Sequence, residues 1–325
     1  MDEQPLVSII VTVFNKHDHL GKSLRSLFAQ TYPNIEIIVV DDNSSDNSSE
    51  CARQLLRNHD NSHLICNKTN VGLLKSRYIG IEHAQGLYTA FVDADDWMES
   101  KAIATMVNTL QSLRVDLVQV RHQRRMKGMA VKYQEKFDAL LANRTIEGDE
   151  FRNLASYVGM DSYIYPACWG KLYITSKLRE TTRLDFNQFW GEDQIFNIQY
   201  LRECKSMAFT DYVGYNYRWG GETTSIYKYS AIKEYKYVHQ LKRILGQDEA
   251  SINREICMLL RYYIRSLITE LGYTKEAVEM VIDEELKDPL WKQVGMTMET
   301  SLLIEREYTG IQKNPIKYLA KRLLH

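Results

Sequence analysis

Three runs of almost uninterrupted apolar, largely β-branched residues constrain what this chain can fold into. They are Val7-Ser8-Ile9-Ile10-Val11-Thr12-Val13, Ile35 to Val40, and Tyr88-Thr89-Ala90-Phe91-Val92. A strand that is apolar on both faces belongs inside a parallel sheet with helices on each side. The intervening sequence supplies those helices. Leu20, Leu24, Leu27 and Phe28 recur at helical spacing, a helix running toward Leu56 is expected to be capped by Ser44 or Ser45, and another runs from about Gly72 to Ala84. A short strand at Leu64-Ile65-Cys66 completes the alternation. The expected class is α/β, a mostly parallel sheet flanked by helices.

Beyond Leu113 the pattern loosens. Leu117-Val118-Gln119-Val120, Trp169 to Ile174 and Val213 to Arg218 read as strands, and Glu150 to Tyr157 and Asp193 to Leu201 as helices. From Tyr229 the sequence is helical throughout, with Ile256, Leu259, Leu260, Tyr263, Ile264 and Leu267 on one apolar face. The expected organisation is one α/β domain over 1–225, with halves 1–115 and 116–225, and a helical extension over 226–325.

Charge argues against nucleic acid, because 41 Lys and Arg nearly balance 42 Asp and Glu. The basic run Arg121, Arg124, Arg125, Lys127 and Lys132 reads as a solvated strand end or loop. Five cysteines without a C-x-x-C suit reduced thiols rather than a disulfide framework or zinc knuckle. With neither a signal-like start nor a bilayer-length apolar run, the expectation is a cytoplasmic protein.

The chemistry gathers where the three runs end. Thr12-Val13-Phe14-Asn15, Asp41-Asp42-Asn43-Ser44 and Asp93-Ala94-Asp95-Asp96 would all open on one sheet edge, the edge where open α/β sheets bind ligands. Carboxylates in the third loop are hard-oxygen ligands suited to a divalent cation shared with phosphate oxygens. Each motif also has a plainer reading. Asp41-Asp42 could form a capping turn, Arg77 a surface ion pair, Glu192-Asp193 a dipole-compensating first helical turn, and Trp169 a core ring. No G-x-G-x-x-G follows the first strand, and no G-x-x-x-x-G-K-[ST] occurs, so dinucleotide and P-loop readings lose their support.

Taken in order with Asn70-Val71-Gly72, Arg77 and Gly191-Glu192-Asp193, these segments resemble the family 2 inverting glycosyltransferases over about the first 225 residues. The resemblance implies a GT-A fold, a nucleotide-sugar donor with UDP-sugars first among the candidates, and a Mn²⁺ or Mg²⁺ cofactor. It implies that Thr12, Phe14 and Asn15 line the nucleotide pocket with Asn70 nearby, and that Asp41 accepts a hydrogen bond from the base. Arg77 would lie near base and phosphates, and Asp93, with Ala94 beside it, would contact ribose or donor sugar. Asp95 would be the chief metal ligand, with Asp96 as a substitute. Asp193 would be the general base, Glu192 would orient the acceptor, and Trp169 would stand beside it.

Processive synthases of the family carry Q-x-x-R-W, whereas Tyr215 stands at the glutamine position here, before Arg218-Trp219. Transfer of a single sugar to a hydroxyl of a glycan acceptor, free or lipid-linked, in surface-glycan assembly is the resulting expectation. The alternatives are a non-catalytic nucleotide-sugar-binding or scaffold protein and a sugar nucleotidyltransferase. The segment from Pro315 to Leu324 separates Ile316, Leu319, Ala320, Leu323 and Leu324 from Lys317, Lys321 and Arg322. Such a helix either rests on an anionic membrane surface or packs on the helical tail.

Overall fold

The computed structural model describes residues 4–126, 129–131, 139–158, 162–181 and 191–218, then 241–248, 250–252, 274–285 and single positions up to 309. The chain divides into two compact units, Met1–Arg218 and Trp219–His325. The basic amphipathic segment from Pro315, Trp219, and Ile256 and Leu259 lie outside the described residues.

In the first unit β1 (Val7–Val13), α1 (His17–Phe28), β2 (Ile35–Asp41), α2 (Ser48–Leu56), β3 (Ser62–Cys66), α3 (Leu73–His83) and β4 (Tyr88–Asp93) follow one another. Next come β5 (Trp97–Met98), α4 (Ala102–Leu113), β6 (Leu117–Met126), β7 (Met129–Val131), β8 (Ile146–Glu147) and α5 (Gly148–Ala155). The unit ends with β9 (Lys171–Ile174), α6 (Thr175–Glu180), α7 (Glu192–Arg202) and β10 (Ser206–Arg218). The sheet order is β3-β2-β1-β4-β9-β6-β10-β5. Strands β3, β2, β1 and β4 pair in parallel, while β9 runs antiparallel to both β4 and β6. Two reversals restore direction, so β6 and β10, parallel to each other, point the same way as β1. Six strands therefore send their carboxyl ends to one edge.

Every residue of β1 is buried, which is why the run is apolar on both faces. Close approach of α3 to this strand depends on Gly80, where an added Cβ would lie 2.5 Å from Ile10 Cγ2. A larger residue there would lift the helix that carries Arg77.

One expectation fails locally. Helix α2 begins at Ser48, not at Ser44 or Ser45. Asp46 accepts a hydrogen bond from Ser48 N–H at 2.9 Å, while Ser44 Oγ faces Asp41 instead. The serines are consumed in holding the loop, so the helix starts a turn later.

In the second unit Ile252, Leu260, Tyr263, Ile264 and Leu267 form a core with Val278 and Ile282 of α8 (Lys275–Glu285). No helix among the described residues is long and apolar enough to cross a membrane.

Candidate active site

Register places Asp41 level with Val13, and Asp93 level with Thr12, on either side of the end of β1. The two flanking strands thus deliver their acids to one opening. On the β2 side the acids are held by neutral groups. Asp41 Oδ1 accepts from Ser44 Oγ at 2.5 Å and Oδ2 from Ser44 N–H at 3.2 Å. Asp42, which the sequence reading left without a role, accepts from Asn67 Nδ2 and from the backbone N–H groups of Val71 and Gly72, at 2.8–2.9 Å. Gly72 takes φ +89, a conformation glycine adopts without strain, and this turns its N–H onto Asp42. Asn15 also has positive φ, and its Oδ1 accepts from Ser45 N–H at 2.8 Å. Between these loops Thr12 is nearly buried, Phe14 is 44% exposed, and Asn70 is exposed.

On the β4 side charge does the holding. Arg77 is fully buried, and its guanidinium donates from Nη1 to Asp193 and from Nη2 to Asp93 at 3.5 Å. Burial opposes its charge, but Asp193 foremost, with Asp93 and Glu192, holds it more firmly protonated than usual. The plainer reading of Arg77 as a surface ion pair does not survive this burial. Asp93 is pushed up to about 7, first by burial and then by Asp193 and Asp95, against the pull of Arg77. Glu192 is pushed up to about 8, again by burial first and then by Asp193.

Asp193 sits in the first turn of α7, 116 positions from Arg77 in sequence. Its second oxygen accepts from Cys168 N–H at 3.3 Å. A buried scaffold fixes that loop. Lys171 Nζ donates to the carbonyls of Tyr165 and Ala167, both at 2.6 Å, and Asn197 Nδ2 donates to the Pro166 and Asp193 carbonyls. Burial lowers the Lys171 amine to about 8. Neither Lys171 nor Asn197 carried a sequence signal of such a role; both act through backbone carbonyls, which leave no residue pattern.

The two neighbouring acids of the third loop differ. Asp95 keeps 20% of its side chain exposed and pairs with Lys16 Nζ at 3.1 Å. Asp96 is buried, accepting from Tyr215 Oη at 2.8 Å and from Arg218 N–H at 2.7 Å. Tyr215 also accepts from Asp93 N–H at 3.2 Å, so the residue at the glutamine position of Q-x-x-R-W ties the acidic loop to β10. Burial pushes Asp96 well above the usual carboxylate range. Ala94 is buried at the turn between Asp93 and Asp95. Trp169, expected beside an acceptor, is 4% exposed and stacks on Tyr215 with centroids 4.4 Å apart. It forms a buried aromatic wall with little surface left for a sugar.

Among the described residues no group of three or more His, Cys, Asp or Glu side chains converges as a metal cage. The accessible carboxylate of Asp95 does fit a cation that takes most of its ligands from phosphate oxygens and water, the manner in which Mg²⁺ is usually held.

Residues 8–165 match the family described as glycosyl transferase family 2. The chain thus carries a family 2 glycosyltransferase domain over those residues. Glycosyltransferase GlyA of Streptococcus pneumoniae is 30% identical over 217 residues, covering 65% of this chain and 30% of its own length. The chain spans between 30% and 61% of the first curated relatives it matches. Among solved structures, S. aureus TarS 1–349 in complex with UDP-GlcNAc is 20% identical, with a TM-score of 0.62 over 83% of this chain and 76% of that one. The mannosyltransferase PcManGT of Pyrobaculum calidifontis, in complex with GDP-Man and Mn²⁺, is 15% identical, with a TM-score of 0.56 over 95% of this chain and 87% of that one. These likenesses establish the GT-A-type α/β fold of the family 2 domain.

Proposed function

We propose that this family 2 protein is a metal-dependent, inverting glycosyltransferase. It moves one sugar from a nucleotide-sugar, UDP-linked in the first instance, to a hydroxyl of a surface-glycan acceptor on the cytoplasmic side of a membrane. The observation that carries the reading is Arg77, which joins Asp93 of β4 to Asp193 of α7 on one buried guanidinium. A single cation thereby couples the acid proposed for the donor sugar to the acid proposed for the acceptor.

In this reading Thr12, Phe14, Asn15 and Asn70 border the nucleotide, and Asp41 accepts the N–H of the base. A carboxylate reads a ring N–H well, and Ser44 leaves it further lone pairs for the task. Asp95, with its accessible oxygen, is the residue that would hold Mn²⁺ or Mg²⁺, and the cation when bound stabilises the departing diphosphate. Asp96 supports it by fixing the loop to Tyr215 and Arg218. Asp193 takes the acceptor proton as the hydroxyl attacks the anomeric carbon from the face opposite the diphosphate. Arg77 and the Cys168 N–H keep its orientation, and each oxygen retains a lone pair for the acceptor. Glu192, protonated near neutral pH, offers an O–H that can orient the acceptor. TarS with UDP-GlcNAc and PcManGT with GDP-Man and Mn²⁺ support the donor class without choosing the sugar.

The test is a screen of nucleotide sugars for release of nucleoside diphosphate, with Mn²⁺ and with EDTA. Release that needs the cation and yields a product of opposite anomeric configuration is expected. Full activity in EDTA, or retained configuration, would overturn the mechanism.

A further inference from the structure

Within the basic stretch that reads as a solvated strand end or loop, Arg125 occupies a particular place, while Lys127 and Lys132 lie outside the described residues. Arg125 on β6 and Arg218 on β10 are register partners, so two guanidinium groups leave adjacent strands side by side. Like charges in that position destabilise a sheet unless something lies between them. Among the described residues no carboxylate forms an ion pair with either arginine. Arg125 Nε donates to Asn216 Oδ1 at 2.9 Å, and Arg218 Nε to the Asp95 carbonyl at 3.1 Å, both neutral acceptors. Asn216 is itself fixed by Gln123 Nε2 at 2.9 Å and by its own donation to Glu99 at 2.9 Å. From α1 a third cation joins them. Lys22 is exposed, its ammonium lies 2.8 Å from the centroid of the Trp97 ring, and its charge is disfavoured by burial and then by Arg218 and Arg125, against the pull of Glu99.

Three cations thus converge at the carboxyl end of β6 and β10, with polar side chains holding the frame. Along the edge the order runs from Asp41 and Thr12, to the Asp95 loop, to this cluster. With roughly 5 Å between strands, β6 and β10 stand about 15–20 Å along the sheet from β1, and Arg218 reaches back from there to the Asp95 loop.

We infer that Arg125, Arg218 and Lys22 form a binding site for a phosphoryl group carried by the acceptor. The inference rests on the proposed donor site only for its sense of direction, because the cluster lies on the side of Asp95 away from the base. Phosphate matches the cluster in charge and in its capacity to accept from two planar guanidinium groups at once. An acceptor so gripped presents its hydroxyl beside the Asp95 loop.

The experiment titrates inorganic phosphate against the full chain and follows Trp97 fluorescence, with Trp97→Phe as the blank. Titrations are run alone and with saturating UDP and Mn²⁺. Phosphate should bind, weaken as salt is added, and bind equally well with UDP present. Arg125→Gln and Lys22→Gln should each weaken it about tenfold, the loss expected for one charge-assisted contact. Circular dichroism confirms that each variant is folded. Displacement of phosphate by UDP would assign the cluster to the donor's own diphosphate and overturn the inference. So would unchanged affinity in both variants. Failure of UDP to bind at all would instead count against the donor site, while the phosphate titration still stands as the test of the cluster.

Discussion

The acids at the ends of β2 and β4 are close in space and alike in chemistry, yet they are held in opposite ways. Asp41 and Asp42 are satisfied by hydroxyl, amide and backbone N–H donors, all neutral. Asp93, Asp95 and Asp193 are held by Arg77 and Lys16, two cations, although Asp193 also takes the Cys168 N–H and the buried Asp96 beside them takes only neutral donors. Neutral donors built into turns cannot leave, so the β2 side is a fixed frame. Cations can be traded for a substrate's charge or a metal's, so the β4 side is poised to change partners. In the proposed mechanism the difference separates recognition from chemistry within one sheet edge.

The largest consequence falls on the charged side. Asp193→Asn keeps the shape and removes the basicity, so kcat should fall by about 10²–10⁴ while donor affinity stays near that of the parent. Steady-state kinetics with the donor found by the screen checks this, and a near-normal kcat would put the base elsewhere. On the neutral side the same kind of change should act on stability. Asp42→Ala leaves the Val71 and Gly72 N–H groups without their acceptor and should cost roughly 3 kcal/mol of folding free energy. Urea denaturation measures it. A loss of kcat per folded molecule comparable to that of Asp193→Asn would erase the distinction between the two sides.

Sequence reading reached the charged side less completely than the neutral one, for a physical reason. Apolar runs read directly as buried strands, and β1, β2, β4 and α3 lie within a residue or two of their expected bounds. The carboxyl-edge loops were equally legible, because strand direction alone places them. What could not be read is how each acid is satisfied. Ser44 looked like a helix cap because caps and loop staples use the same hydroxyl, and only the fold decides which N–H or carboxylate it meets. Asp96 looked like its neighbour Asp95, although burial against Tyr215 separates them. Trp169 was open between platform and core, and no local pattern shows that it stacks on Tyr215, 4% exposed. The Arg125–Arg218 pair depends on a register between strands some ninety positions apart, about which local sequence says nothing.

A smaller effect should appear in pH dependence. Asp93 and Glu192 are held at about 7 and about 8 in the folded protein, above the ordinary 3.8 and 4.5. Between roughly pH 4 and those values the folded state keeps protons that the unfolded chain releases. Stability therefore falls as pH rises through that window and levels off above it. Asp93→Asn, which carries no titrating proton, should flatten part of the slope in denaturation curves taken from pH 5 to 9. An unchanged slope would mean that burial does not hold a proton on Asp93.

The smallest effect tests whether the charged side really exchanges partners. Lys16 pairs with Asp95 across a partly exposed gap, and such pairs contribute at most about 1 kcal/mol. A cation arriving at Asp95 must displace that ammonium or share the carboxylate with it. Removing the competitor in Lys16→Met should therefore tighten Mn²⁺ binding by up to about fivefold, read by electron paramagnetic resonance without nucleotide. The same substitution should weaken UDP binding in the presence of Mn²⁺, because it removes an ammonium beside Asp95 that can meet the diphosphate. Ser44→Ala, which touches only the neutral frame, should leave Mn²⁺ affinity where it was. Opposite signs in the two Lys16→Met measurements would mark the lysine as a partner handed from acid to phosphate. Equal Mn²⁺ affinity in Lys16→Met and the parent would show that the pair is an ordinary surface contact and that Asp95 waits for no exchange.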